Sequence, residues 1–456
     1  MTDLLIKDGT VILPGETLRA DVAIADGVVT EVGRLGGLKA RRVLDASDQY
    51  VMPGMIDPHL HLAHPFCDTR STDDFWSGTL AAAAGGNTSI IDFAIQWSGT
   101  PLDALKARRR EADGEAAIDY GLHACLTRSD AEHISCIPQL MEAGIPSFKA
   151  YMVYRRQGRK MDDGGLLAML RETAAAGGMT GVHAENEDMA DYNLAVLERE
   201  GKLGAEYFPP YKPPIVEAEA VNRVLYLNQW AESQLYIFHL STGEGLRLVR
   251  EAKAAGQRVW AETCTHYLTL NEDRYSREDG ADFICSPPLR PEEDVEAMWD
   301  GVISGDISII SSDHCGFSRQ QKREYGSEFT AVPNGLPGVE WRLPVIHTCG
   351  VVQERISVNR MVELLSTNPA RMFGLYPRKG TLAAGSDGDV ILFDPSATAE
   401  VGSLNQKTPA GWSPYADFTV RGLPTTVVSR GEIILQDGEV LAQKGRGRFL
   451  QRSYCE

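Results

Sequence analysis

Eight short apolar runs recur through the middle of this chain, and Ala- and Leu-rich stretches separate them. The runs lie at 51–56 (VMPGMI), 88–95 (TSIIDFAI), 120–127 (YGLHACLT), 147–153 (SFKAYMV), 180–184 (TGVHA), 235–241 (LYIFHLS), 259–264 (VWAETC) and 307–312 (ISIISS). PLDALKARRREADGEA, GGLLAMLRETAAAGG and GEGLRLVREAKAAG are typical of the intervening helical stretches. Strands joined by helices of this length pair in parallel, because a parallel pair needs a crossover of a dozen or more residues. His59 and Asp313 are 254 positions apart, about 36 per unit over seven steps, which is ordinary for a βαβ unit. Eight such units predict an α/β fold with a closed (β/α)8, TIM-like barrel. An open doubly wound sheet would carry a Gly-rich nucleotide turn after its first strand, and VMPGMIDPHLH has none.

The flanks differ from the middle. LLIKDGTVIL and ADVAIADGVVTEVG near the start, and GSDGDVILFDP and TTVVSRGEIIL near the end, are β-rich runs punctuated by Asp-Gly and similar turns. Each flank is too short to make a good sandwich alone. The expected organisation is a β-sandwich-like domain built from both termini, residues 1–50 and 376–456, around a barrel at 51–375. The formal charge of −18 argues against a nucleic-acid binder and against an anionic membrane surface. No run approaches the length of a membrane span, and MTDLLIKDGTVILPGE lacks the features of a signal peptide. The eight cysteines form no C-x-x-C pair, which fits reduced thiols in a cytoplasmic protein.

Polar groups sit near the ends of the predicted strands, where barrel chemistry collects. The first strand leads into Asp57-Pro58-His59-Leu60-His61; the fourth carries Lys149, the fifth His183, the sixth His239, and Asp313 follows the eighth. Alternate residues of an extended segment point the same way, so His59 and His61 can grip one ion together. Imidazole with carboxylate suits Zn²⁺ or a similar divalent ion. Lys149 has two readings: a carbamate formed with CO₂, able to bridge two metals, or an ammonium paired with a nearby carboxylate. His314 should face away from Asp313 along the chain.

IDPHLHL, SFKAYMVY, GVHAEN, FHLS, CSPPLRP, SSDHCGF, PNGLPGVE, NPARMFGLYPRKGTL and GSDGDVILFDP occur in order. Together they resemble the hydantoinase/dihydropyrimidinase branch of the amidohydrolase superfamily, from about residue 3 to about 445. The resemblance implies two divalent ions per chain: one on His59, His61 and Asp313, the other on His183 and His239, bridged by Lys149 as N6-carboxylysine. Zinc is the first expectation, with manganese and cobalt also suited. It further implies that Asp313 shuttles a proton and that Tyr154 donates to a developing oxyanion. Main-chain groups of Ser286 and Asn334 would hold the substrate ring. The implied reaction opens hydantoins and 5,6-dihydropyrimidines to N-carbamoyl amino acids, on a small-molecule substrate, in a homotetramer or homodimer. His64, His123, His133, His266 and His347 match no ligand position of the family.

Two departures stand out. Dihydroorotases carry an Arg where Ala63 stands, and hydantoinases often carry an acid there. The loop after Lys149 reads YRRQGRKMDD, so Arg155, Arg156, Arg159 and Lys160 form a basic cluster that is either a solvated loop or a mouth for polar and anionic substituents. An allantoinase or cyclic imide hydrolase is the nearest alternative. A non-catalytic scaffold homologue is the alternative of another class, and the six intact ligand positions argue against it.

Overall fold

The computed structural model describes residues 1–66, 68–324, 328–402 and 406–453. Eight strands pair in chain order: Met55–Asp57, Asn87–Ile95, Asp119–Cys125, Ser147–Tyr151, Met179–His183, Gln234–Ile237, Val259–Cys264 and Ile309–Ser311. All neighbouring pairs are parallel. The two ends of this sheet meet just beyond the strands: Leu60 bridges His314, and the His61 amide donates to the His314 carbonyl at 2.7 Å. This is the expected TIM-like barrel. The second strand is buried along its whole length, which is why it reads as a continuous apolar run.

The helices start where local chemistry tells them to. Thr100 and Asp103 form a capping box ahead of Pro101–Ala112, with Pro at the first position. Thr242 caps Gly243–Ala254 directly after the sixth strand. The stretch AEHISCIPQLMEAG is divided into Ala131–Ile134 and Ile137–Glu142, because Pro138 cannot donate to the Ile134 carbonyl.

One strand differs from the sequence reading. The run 51–56 is split at Gly54. Tyr50–Pro53 pairs with Val390–Glu400 and Thr2–Leu13, whereas Met55–Asp57 enters the barrel. Gly54 is required at the crossing, since a Cβ there would lie 2.1 Å from Thr88 Oγ1. Tyr50–Pro53 thereby joins the N- and C-terminal strands into one nine-stranded mixed sheet, the β domain assembled from both ends. Its own core contains Ile6, Val22, Ile24, Val51, Leu392 and Val428.

The two units are locked together at the N-terminal ends of the barrel strands, the face that serves stability rather than chemistry. Lys379, 1% exposed, meets Asp119 at 2.9 Å, Asp387 at 2.8 Å and Asp389 at 2.7 Å. Asp119 opens the third barrel strand, and Asp389 precedes a strand of the terminal sheet. The late segment returns to the same place: the Leu450 amide donates to Tyr120, and the buried Arg452 reaches Ser147 Oγ at 3.0 Å. Among the described residues no helix is long and apolar enough to cross a membrane. Cys125, Cys136, Cys264, Cys285, Cys315 and Cys349 are free and buried; Cys67 and Cys455 lie outside the described residues.

Removing Lys379 takes the shared ammonium from three carboxylates, leaving Asp119 to Arg430 at 3.1 Å, Asp387 to Arg378 at 3.9 Å and Asp389 to the Arg430 amide. Lys379→Ala is expected to cost about 3–5 kcal/mol of stability, read from urea denaturation followed by tryptophan fluorescence. A loss below about 1 kcal/mol would show that water replaces the ammonium there.

Candidate active site

The C-terminal strand ends bring five nitrogen-bearing side chains and one acid to the barrel mouth. His59 Nε2 lies 3.1 Å from Asp313 Oδ1, and His61 Nε2 lies 3.5 Å from the same oxygen. The ligand atoms of these three residues all fall within 4.8 Å of one another, a candidate metal site. The His183 and His239 rings meet edge to face with centroids 4.3 Å apart, and His239 is 5.3 Å from His59. His239 and Asp313 both hold positive φ, +38° and +44°, an unusual backbone for either residue and a frequent feature of functional sites.

Burial controls the protonation of this cluster. It pushes His61 and His239 well below the ordinary imidazole range, with Lys149 adding to the effect. It brings His183 down to about 4 despite the opposing pull of Glu185. On His59 the desolvation is outweighed by Asp313 and Glu262, and its pKa is raised. Burial likewise opposes ionisation of Asp313, but His59 and Lys149 hold its carboxyl below the usual range. His61 Nδ1 and both ring nitrogens of His239 are buried without a hydrogen-bond partner. Neutral imidazoles with unspent ring nitrogens are suited to a divalent cation.

Lys149, 1% exposed, reaches His59 Nε2 at 3.1 Å and sits over the rings of Phe93 and Phe238. Among the described residues no carboxylate lies within 4.0 Å of its Nζ, so the ion-paired reading has no partner. Burial lowers its pKa and favours the free amine.

One cavity is lined by His61, Lys149, His183, His239 and Asp313 together with Tyr154, Ser286 and Asn334. His59 lies beneath them, fully buried. Tyr154 follows the fourth strand with φ +73°, its ring 5.3 Å from that of His183. Burial and the Glu185 charge raise its phenol pKa, so it stays a donor. The loops bearing Ser286 and Asn334 are tied together by Lys322, whose Nζ donates to the carbonyls of Ile284 at 2.9 Å and Pro333 at 3.1 Å.

Several functional residues escaped sequence reasoning. Glu262 on the seventh strand bonds His59 Nδ1, accepts from Tyr236 at 2.8 Å and from the His239 amide at 3.1 Å. It is an acid in an apolar run, the same signal that marks the histidines. Glu185 bonds His183 Nε2 at 2.5 Å and, with Lys212 (2.8 Å) and Ser286 (2.7 Å), forms a buried polar triangle. Lys212 lies in a Pro-rich loop without any local signal. His266 lines the cavity with both ring nitrogens unpartnered. His64 also lines it, 4.9 Å from His61. The remaining histidines are answered elsewhere: His123 by Ser147 and Pro58, His133 by Asp130, His314 by Asp73, and His347 by the Arg421 carbonyl.

The basic cluster does not act as one. Arg155 bonds Asp188 and Asp191, and Lys160 bonds Asp188, all on the acidic first turns of helix Glu187–Glu200. Arg156 lines a neighbouring cavity with Tyr211 and Phe329. Arg159 alone turns inward, 3% exposed, to the cavity that holds Asp313.

The amidohydrolase family profile matches residues 50–434. The D-hydantoinase of Ralstonia pickettii is 40% identical over 457 residues, covering 99% of each chain. A D-phenylhydantoinase of Escherichia coli is also 40% identical, over 454 residues and 98% of each chain. The crystal structure of dihydropyrimidinase from Brevibacillus agri superposes with a TM-score of 0.97 over 100% of both chains at 34% identity.

The chain belongs to the hydantoinase/dihydropyrimidinase branch of the amidohydrolase family.

For this amidohydrolase the partner of a ligand matters as much as the ligand. Glu262 fixes the tautomer and orientation of His59 by accepting a hydrogen bond from its Nδ1–H. Glu262→Ala is expected to weaken divalent metal binding by about 10–100-fold, measured by metal content after dialysis against a graded chelator series. Unchanged retention would remove Glu262 from that role.

Proposed function

We propose that this amidohydrolase opens the rings of hydantoins and 5,6-dihydropyrimidines, giving N-carbamoyl amino acids. The observation that carries this reading is one cavity lined by His61, Lys149, His183, His239, Asp313 and Tyr154, on a chain similar along its whole length to hydantoinases. In this reading His59, His61 and Asp313 would hold one divalent ion and His183 and His239 a second, with Lys149, as N6-carboxylysine, completing the ligand set. The neutral amine favoured by burial is the form that adds CO₂, releasing one proton as the carbamate forms. The imidazole and carboxylate donors favour zinc, with manganese and cobalt as substitutes. Such ions supply Lewis acidity and lower the pKa of water toward ~7.

The chain supplies the remaining steps. Asp313, held ionised and open to the cavity, accepts the proton of the attacking water and passes it to the leaving ring nitrogen. Tyr154 donates its hydroxyl to the oxyanion that develops on the attacked carbonyl. Ser286 Oγ is engaged by Glu185 and Lys212, so its main chain, with that of Asn334, reads the N–H and C=O edge of the ring. Full-length similarity to proteins named hydantoinase and dihydropyrimidinase favours this activity over allantoin or cyclic imide hydrolysis, and over a scaffold role.

We also read the protein as a cytoplasmic homo-oligomer, a tetramer or dimer. Tyr226 and Trp230, one turn apart on helix Pro214–Ala231, are 64% and 71% exposed, an apolar face of the kind that a second copy covers. Free, buried cysteines fit a reducing compartment.

The deciding experiment is a turnover panel with metal-reconstituted protein: hydantoin, both enantiomers of 5-substituted hydantoins, dihydrouracil, allantoin, dihydroorotate and simple cyclic imides. Ring opening of hydantoins and dihydrouracil is expected; an enzyme active only on allantoin or dihydroorotate would overturn the assignment. Asp313→Asn is expected to lower kcat by about 10²–10⁴-fold, and near-normal turnover would exclude it as the shuttle. Tyr154→Phe is expected to lower kcat by about 10²–10³-fold with little change in KM. An effect confined to KM would make Tyr154 a binding group only.

A further inference from the structure

Buried cations in this protein are normally answered by anions or carbonyls. Lys379 has three aspartates, Lys212 has Glu185, and Lys322 has two carbonyls. Arg159 is answered far less fully, by one carbonyl and no anion. Its guanidinium is buried at the active-site cavity, and among the described residues no carboxylate lies within 4.0 Å of it. Nη2 donates to the Pro65 carbonyl at 3.3 Å, and Nε is buried with no acceptor at all. A guanidinium carries five N–H donors, so most of its capacity is unspent.

What surrounds it is aromatic. Its Cζ is 4.5 Å from the Trp97 ring centroid, 5.5 Å from Tyr154, 5.6 Å from Phe66 and 5.8 Å from Tyr151. Ring faces attract a cation and fix its plane, but they offer no lone pair to the N–H groups. The acids that could have paired with it, Glu187, Asp188 and Asp191, are engaged by Arg155 and Lys160 from the same loop. Trp97 is half exposed, so the aromatic box has one wall at the surface, while Arg159 itself lines the cavity that holds Asp313. Arg159 shares this cavity with Asp313 and Tyr154, which puts its guanidinium beside any ring bound there.

We propose that Arg159 is a specificity-determining residue that recognises a carboxylate at the end of the substrate's ring substituent. The preferred substrates are then cyclic ureides with an acidic side chain. Planar, bidentate pairing is the geometry in which a guanidinium and a carboxylate bind best. This rests on the ring-opening reading above and names the substrate class within it.

The test compares 5-(2-carboxyethyl)hydantoin with its uncharged isostere 5-(2-carbamoylethyl)hydantoin, using the metal-loaded enzyme at a pH where the acid is ionised. The wild-type kcat/KM is expected to favour the acid by about tenfold or more. Arg159→Gln should bring that ratio close to one, and Arg159→Lys should keep part of it. The ratio is internal to each variant, so a general loss of activity leaves it readable. A wild-type ratio at or below one overturns the proposal without any variant. An unchanged ratio in Arg159→Gln does so too, and makes Arg159 a packing group of the aromatic box. If neither compound nor hydantoin is opened, the ring-opening reading fails. Calorimetric binding of the same two compounds to wild type then decides the Arg159 assignment: tighter binding of the acid supports it, and equal or weaker binding overturns it.

Discussion

Closure of the barrel is what makes a site out of residues 254 positions apart. His59 and His61 follow the first strand and Asp313 follows the eighth, so they meet only where the sheet's two edges join. That seam is reinforced by more than one backbone bridge. The Ser312 amide donates to Asp57 Oδ1 at 3.3 Å, and the buried Arg342 spans the seam from the Ile310 carbonyl at 2.9 Å to Asp57 at 3.6 Å. Parallel strands all end at the same mouth, so a closed seam fixes the other polar residues in place as well. His183, His239 and Lys149 need no special contacts with His59 to arrive beside it.

The same closure creates an electrostatic problem. Nitrogen groups crowd a buried space with few anions, and desolvation is the largest influence on every histidine there. The fold answers by keeping most imidazoles neutral and by placing Glu262 and Glu185 behind His59 and His183. The cost shows in the backbone, where His239, Asp313, Tyr154 and Ala63 all adopt positive φ. Each such residue carries strain of order 1–3 kcal/mol. Rigid contacts on the opposite face, centred on Lys379 and Arg452, give the stability against which that strain is held.

Much of this was legible in the residues. Seven of the eight strand runs coincide with single barrel strands because both faces are buried, and continuous apolar stretches are easy to see. The first run misled because two strands of different sheets abut at Gly54, and no periodicity marks a change of sheet within so few residues. The histidines and Asp313 were visible as polar groups at strand ends. Glu262 carries the same signal, an acid within an apolar run, but an acid that orients a ligand has no spacing of its own to set it apart from a buried ion-pair partner. Lys212, Lys322 and the separate fates of Arg155 and Arg159 had no local signature. Their roles depend on which carbonyl or carboxylate the tertiary fold brings within reach.

The loop after the fourth strand links chemistry to recognition. It leaves Lys149's strand at Tyr151 and returns to it, with Lys160 bridging Tyr151 and the Met161 amide donating to Tyr151 at 2.8 Å. Within that excursion the Arg159 amide donates to the Tyr154 carbonyl at 3.0 Å, and Gly158 supplies a positive φ of +67° that turns the chain back. Tyr154 and Arg159 are therefore held by one backbone hydrogen bond, and both line the cavity that holds Asp313. A change of loop length or of Gly158 would move both side chains together, so under the proposed roles substrate preference is tied to the position of the Tyr154 hydroxyl. The ion pairs of Arg155 and Lys160 with the helix Glu187–Glu200 anchor the loop's outer side. Arg155 and Lys160, which look like part of a charged mouth in the sequence, act as the fastening that keeps Tyr154 and Arg159 in register with the candidate metal site.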